Sequence, residues 1–218
     1  MTIVVVARPF EDEMRVSADR RFVVPLRAGG EEIHDDATKI FRLGALKSGV
    51  LIATLGTFQL NPEIGDLVRG DVAMALDQFA HAFSDREVTL NDAIQILLRQ
   101  LGTILTSPSV GLLVVVAWKG SDAGFLELTV RCQPGQEMTT EQSDWVNVAW
   151  NGASTVWYLA GRAEGPNSSE FQTDESFQSY IRGVARSCNV PAGANGTMLL
   201  GDPDNLLVTV LGIRRPQR

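Results

Sequence analysis

The chain has 218 residues, of which 44% are hydrophobic and 21% are charged, and its formal net charge is −7. An acidic balance with scattered basic residues disfavours a surface that follows a nucleic-acid backbone, and no apolar run reaches the roughly 18 residues of a membrane-spanning helix. Two cysteines are too few for a disulfide framework or a zinc site. The composition therefore predicts a cytoplasmic protein with no cofactor, no metal, no nucleic acid and no membrane partner.

The first quarter of the chain is predicted to be a series of strands. Runs of β-branched and other apolar residues, separated by polar turns, predict strands over residues 2–7, 14–19, 22–26, 39–43 and 49–56. The first two of these strands should form a hairpin, because only a short polar turn separates them.

Helical spacing begins after residue 60. Asn61-Pro62-Glu63 is typical of a helix start, and apolar residues then recur at three- and four-residue steps as far as Phe83. Thr89-Leu90-Asn91-Asp92 starts a second helix, whose apolar stripe ends at Leu101.

The rest of the chain returns to strands and then to helices. We predict strands over 111–118, 125–132 and 145–150, a short helix from the 151–154 turn to about residue 163, and a helix from about 174 to 188. A hairpin of strands over 197–201 and 206–213 completes the chain. This order predicts an α+β fold in a single domain, residues 1–218, with two antiparallel sheets packed between helix layers.

Three side chains in the first 40 residues can converge on one point. Thr2 begins the first strand, Asp19 ends the strand that pairs with it, and Lys39 opens a later strand. An amino-terminal nucleophile hydrolase needs these groups, because a hydroxyl attacks, the chain's own α-amine acts as base and a lysine stabilises negative charge. The residue pattern alone also allows Asp19 to be a surface acid paired with Arg20 or Arg21, and Lys39 to be a surface lysine.

The order and spacing of these segments resemble the β-type subunits of the proteasome and the bacterial heat-shock-locus protease. The resemblance implies a four-layer α-β-β-α sandwich and a threonine peptidase that cleaves peptide or isopeptide bonds. It also implies a ring of identical subunits, a polypeptide substrate and a possible regulatory ATPase. The implied catalytic residues are Thr2, Asp19, Lys39 and Ser154. The segments that carry the resemblance are 2–6, 16–21, 38–43, 51–56 and 149–163.

The chain departs from the family pattern at three places. Met1-Thr2 stands where the family has two hydroxyl residues, so Thr2 becomes the nucleophile only after Met1 is removed; aligning Ile3 and Val4 with the family strand instead places Met1 at that position. Gly152 occupies the position of the supporting serine, with Ser154 two residues away, and the stretch 187–193 contains no acid. The alternative function is therefore a non-catalytic, proteasome-like structural subunit or pseudoenzyme.

Overall fold

The computed structural model describes residues 2–25, 31–35, 37–43, 50–57, 89–92, 94–95, 98–99, 109–132, 136–158, 161–188 and 202–216. The chain divides into two compact units, residues 1–40 with 148–212 and residues 41–147 with 213–218.

The strands are β1 (Val4–Phe10), β2 (Glu13–Asp19), β3 (Phe22–Pro25), β4 (Glu31–His34), β5 (Ile40–Leu43), β6 (Val50–Thr57), β7 (Ser109–Lys119), β8 (Asp122–Cys132), β9 (Thr139–Gln142), β10 (Val146–Asn147), β11 (Ala153–Tyr158), β12 (Gly161–Asn167) and β13 (Val208–Arg214). The helical elements are α1 (Asp174–Cys188), short 3-10 turns at Ser168–Phe171 and Pro203–Asn205, and helical residues at 90–92, 94–95 and 98–99.

The first unit is built on a five-stranded sheet with the order β12-β11-β1-β2-β13. Its central strand, β1, begins with three valines, whose branched side chains favour the extended backbone. Val5 lies opposite Ser17 on one antiparallel neighbour and opposite Val156 on the other. Because side chains directly opposite each other share a face, this register fixes which residues of β1 and β2 point the same way.

Helix α1 covers one face of this sheet. The Ser176 N–H donates to Thr173 Oγ1 at 3.3 Å at the start of the helix, and the acids Asp174 and Glu175 lie in its first turn, where the helix dipole favours negative charge. The buried face of α1 repeats every four residues, as expected for a helix lying on a sheet. The cluster it forms with the sheet and its flanking turns contains Ile3, Val5, Ala7, Val156, Phe171, Phe177, Ile181, Ala185 and Leu206.

A two-stranded ribbon follows the sheet's second strand. Strands β3 and β4 pair antiparallel, with Phe22 opposite His34 and Pro25 opposite Glu31. The ribbon begins three residues after Asp19 and ends five residues before Lys39. It therefore forms most of the connection between the two charged residues singled out by the sequence.

The second unit contains a six-stranded sheet with the order β10-β8-β7-β6-β5, in which β9 also pairs with β8. Strands β7 and β8 form a long hairpin, and Gly120 in its turn has a φ of 64°, a conformation that favours glycine. Every residue from Leu113 to Trp118 is buried, so both faces of β7 are shielded from water. In the part of the chain that the structure describes, no helix is long and apolar enough to cross a membrane.

The predicted α-β-β-α layering is wrong. The described residues form two antiparallel sheets with one substantial helix, α1, rather than a helix layer on each outer side of the sheets. The short helix predicted from residue 151 to about 163 is replaced by strands β11 and β12. The physical reason is the run Thr155-Val156-Trp157-Tyr158, whose β-branched and aromatic side chains favour a pleated strand.

Several other predicted elements agree with the structure. The helix over 174–188 and the first two strands are confirmed. In the segment 89–101, residues 90–92, 94–95 and 98–99 are helical, as predicted. The helix predicted over 61–83 and the strand predicted over 197–201 lie outside the described residues.

Candidate functional site

The Asp19 carboxylate lies against the start of the central strand. At the end of β2, the Asp19 N–H donates to the Ile3 carbonyl at 3.3 Å, which continues the β1–β2 pairing by one residue beyond β1. In return, the Ile3 N–H donates to Asp19 Oδ1 at 2.6 Å. The Asp19 side chain is completely buried. The carboxylate is therefore oriented by the same strand pairing that orders the first residues of the chain.

Lys39 completes this arrangement from the other end of the ribbon. Its Nζ donates to Asp19 Oδ2 at 2.6 Å and to the Arg21 carbonyl at 2.6 Å. Lys39 is only 7% exposed, so the ion pair is shielded from solvent. Burial lowers the pKa of Lys39 below the ordinary lysine value, and the attraction of Asp19 offsets only part of this effect. The interpretation of Asp19 and Lys39 as surface residues therefore does not fit their surroundings.

Thr2 lies beside this buried ion pair. It is joined by one peptide bond to the Ile3 nitrogen, whose N–H donates to Asp19. Thr2 is partly exposed, whereas Asp19 and Lys39 are buried, so the residue predicted to meet substrate is the one with access to solvent. Met1 lies outside the described residues. Thr2 is therefore the chain neighbour of Ile3, whose N–H is bound by the Asp19 carboxylate that also binds Lys39.

Ser154 is not part of this cluster. In β11, Trp157 lies opposite Val4 and Thr155 lies opposite Val6, so Ser154 is at the level of Ala7. At about 3.3 Å per residue, this is roughly 16 Å along the strand from Thr2. Among the described residues, the buried Ser154 Oγ has no hydrogen-bond partner. The structure brings Asp19 and Lys39 together next to the Thr2–Ile3 peptide bond and leaves Ser154 at the level of the middle of β1.

An additional ion pair adjoins the cluster and was missed by the sequence prediction. Arg21 Nε and Nη2 donate to the two carboxylate oxygens of Asp35 at 2.5 and 2.8 Å. The hydrogen bond from Arg21 holds the pKa of Asp35 below its usual value, and the same contact raises the pKa of Arg21. The only signal in the sequence was an acidic stretch, 31–36, downstream of Arg20 and Arg21, which does not specify which acid pairs with which base.

Within the described parts of the chain, no group of three or more His, Cys, Asp or Glu side chains is placed to hold a metal ion. The ion pair supplies a carboxylate and an amine beside a hydroxyl residue, and the natural chemistry of these groups is nucleophilic attack with electrostatic support. In comparisons with known proteins, no protein-family model matches the chain and no curated protein matches it.

Proposed function

We propose that the chain is an amino-terminal nucleophile hydrolase of the threonine peptidase type, acting on polypeptide amide bonds, with Thr2 as nucleophile after removal of Met1. One observation carries the proposal: the buried Asp19 carboxylate binds both Lys39 Nζ and the Ile3 N–H, at 2.6 Å each, next to Thr2. A positive charge held beside a hydroxyl residue favours attack by that hydroxyl, because it stabilises the negative charge that develops.

The chemistry follows from these groups. The free α-amine of Thr2, with an ordinary pKa of about 7.7–8.0, accepts the hydroxyl proton as Oγ attacks the carbonyl carbon of the substrate amide. The Lys39 ammonium stabilises the negative charge that develops during the attack. The protonated amine then returns its proton to the leaving nitrogen, and the C–N bond breaks. Water attacks the resulting ester with the same amine as base, which releases the acid and restores Thr2.

Position in the chain and side-chain chemistry favour Thr2, rather than Met1, as the nucleophile. Asp19 lies opposite Ile3 and accepts its N–H, so Thr2 is the residue immediately before the anchored position. Met1 is one residue further away, and its thioether cannot attack an amide. Removal of Met1 would give Thr2 both a free amine and a hydroxyl.

The second candidate function is a non-catalytic subunit of the same general type. Two observations favour it. Asp19 and Lys39 hydrogen-bond to each other and to nearby backbone groups, as a structural ion pair does. Ser154 lies far from Thr2. In this alternative the buried pair serves only to join β1, β2 and the segment before β5.

The two functions are separated by substitutions at Thr2. Intact-mass measurement first establishes whether Met1 is removed. We expect Thr2→Ala to abolish hydrolysis of a fluorogenic peptide and Thr2→Ser to retain part of it, since a serine hydroxyl can make the same attack. Thr139→Ala is the matched control, because Thr139 is exposed on β9 in the other unit, and it should hydrolyse like the unsubstituted protein.

An amino-terminal tag provides an independent test. A tagged protein should be inactive until the tag is removed, because the α-amine is the proposed base. Full peptidase activity with the tag in place would contradict the threonine mechanism. Equal lack of activity in all variants and in the processed protein would favour the non-catalytic subunit.

A further inference from the structure

Arg21 contacts the site with both its main chain and its side chain. Its carbonyl accepts a hydrogen bond from Lys39 Nζ at 2.6 Å, and its N–H donates to Asp19 Oδ2 at 3.2 Å. Its guanidinium binds both carboxylate oxygens of Asp35 and donates from Nη1 to the Asp202 carbonyl at 3.1 Å. Arg21 therefore links Lys39 and Asp19 to two further places in the chain, Asp35 and Asp202.

The Arg21–Asp35 pair is suited to holding a segment in place. The Arg21 side chain is 5% exposed, whereas the Asp35 side chain is 38% exposed. A bidentate pair between a guanidinium and a carboxylate fixes direction as well as distance, which the single point charge of a lysine does not. The pKa of Asp35 is held below its usual value by Arg21, so the pair stays ionised at neutral pH.

The segment that carries Lys39 is attached to Arg20 and Arg21 at successive points. Asp35 binds the Arg21 side chain, the Ala37 N–H donates to the Arg20 carbonyl at 3.0 Å, and Lys39 Nζ donates to the Arg21 carbonyl. Lysine has a long, flexible side chain, so the position of its amine depends on the position of its backbone. The hydrogen bonds of Asp35 and Ala37 fix the position of the Lys39 backbone.

We propose that Arg21 and Asp35 are positioning residues for Lys39: their bidentate ion pair fixes the chain before Lys39 so that the lysine amine meets the Asp19 carboxylate beside Thr2. The catalytic part of this inference rests on the proposed peptidase function, whereas the positioning of Lys39 is a property of the fold and does not depend on it. Arg21 and Asp35 contact no substrate in this scheme and act through Lys39.

The test compares Asp35→Asn with Asp204→Asn. The control is matched because Asp204 also pairs with an arginine, Arg186, and both of those side chains are more than half exposed. Two quantities are measured: kcat and KM for a fluorogenic peptide, and the pKa of Lys39 by NMR of the protein labelled with ¹³C at lysine Cε. Circular dichroism establishes that each variant is folded.

We expect Asp35→Asn to lower kcat roughly tenfold to a hundredfold with little change in KM, as misplacement of a catalytic group does. It should also lower the pKa of Lys39 further, because Asp35 attracts the ammonium and its loss leaves the Arg21 cation unneutralised. Arg21→Lys keeps the charge but not the bidentate geometry, so it should retain the fold, lose kcat and shift the pKa of Lys39. Asp204→Asn should change neither quantity.

The outcomes separate the two proposals. An unchanged Lys39 pKa in Arg21→Lys, which keeps the charge and loses only the bidentate geometry, overturns the positioning role. If the unsubstituted protein hydrolyses no peptide but the Lys39 pKa shifts in Arg21→Lys and not in Asp204→Asn, the positioning role stands and the peptidase function fails. If hydrolysis is present and kcat is unaffected by Asp35→Asn, the peptidase function stands and the positioning role fails.

Discussion

Asp19 accepts hydrogen bonds from three nitrogens: the Ile3 N–H, the Arg21 N–H and Lys39 Nζ. A buried carboxylate is stable only when its oxygens are hydrogen-bonded and its charge is balanced. Burial lowers the pKa of Lys39, which means that the folded protein binds the lysine proton less tightly than the unfolded chain does. Removing either partner alone therefore leaves the other buried and uncompensated.

The first prediction follows from this pair. Asp19→Asn should lower the free energy of unfolding at pH 7 by about 3 kcal/mol, because the Lys39 charge remains buried without its carboxylate. At pH values between the lowered pKa of Lys39 and the ordinary value of about 10.4, the folded protein binds fewer protons than the unfolded chain. The free energy of unfolding therefore rises with pH over that range. Part of the loss in Asp19→Asn should thus be recovered at alkaline pH, as measured by urea denaturation.

The double variant Asp19→Asn with Lys39→Met provides the control. It removes both charges, so its loss of unfolding free energy should be smaller than the sum of the losses in the two single variants. The difference, which is the coupling free energy between the two side chains, should be roughly 1–3 kcal/mol. Additive losses would mean that the two side chains do not interact, which contradicts the buried ion pair.

The sequence predicted part of the site and missed the rest for physical reasons. Apolar patterning placed Thr2, Asp19 and Lys39 at strand ends, and the resemblance to the proteasome β-type family selected them as site residues. The structure shows that Asp19 and Lys39 are in contact. The Arg21–Asp35 pair was not found because pairing between charged side chains depends on the path of the ribbon between them. Ser154 was misplaced relative to the cluster because its segment was taken for a helix, whereas the register of β11 sets it opposite Ala7.

At the scale of elements, β11 and β12 approach each other closely at one glycine. A Cβ at Gly165 would lie 2.4 Å from Ser154 Oγ and 2.7 Å from Val156 Cγ2. Strand β12 can lie against these side chains only because residue 165 has no side chain. The close approach at Gly165 is not visible in the apolar pattern, whereas the run from Thr155 to Tyr158, which favours a strand, was given too little weight when this segment was predicted as a helix.

The second prediction compares two glycine-to-alanine substitutions. Gly165→Ala should lower the free energy of unfolding by about 1–3 kcal/mol, because the new methyl group forces β12 away from β11. Gly183→Ala in α1 should instead raise it by roughly 0.5–1 kcal/mol, since alanine is the better helix former and a Cβ there meets nothing within 4 Å. Chemical denaturation of both variants measures the difference. A Gly165→Ala protein as stable as Gly183→Ala would contradict the described packing of β12.

At the scale of the whole molecule, the surface combines a net charge of −7 with a few exposed apolar side chains. Ile33 is 48% exposed, Trp150 is 53% exposed and Leu207 is 47% exposed. Large side chains of this kind often lie where chains associate. Apolar side chains of the helices predicted over 61–83 and 89–101 also led us to expect association. Of these, Leu98 is buried, and Phe79, Phe83, Leu97 and Leu101 lie outside the described residues.

We propose that the chain self-associates, as the resemblance implies, and sedimentation at micromolar concentration tests it. The expected mass is a multiple of 23.7 kDa. Association should strengthen between low salt and about 0.15 M salt, because screening with a Debye length of about 8 Å weakens repulsion between like-charged copies. A mass of one chain at every salt concentration would contradict the proposal.

The order β12-β11-β1-β2-β13 also determines how this sheet can form while the chain is being synthesised. Val5 has its partner on β2 only 12 residues later, at Ser17, but its partner on β11 is Val156. At roughly 5–20 residues per second, a ribosome needs about 7 to 28 seconds to make the chain between residues 17 and 156. Throughout that interval the valine-rich edge of β1 has no strand beside it. Growing chains should therefore depend on chaperones to keep these edges from joining one another.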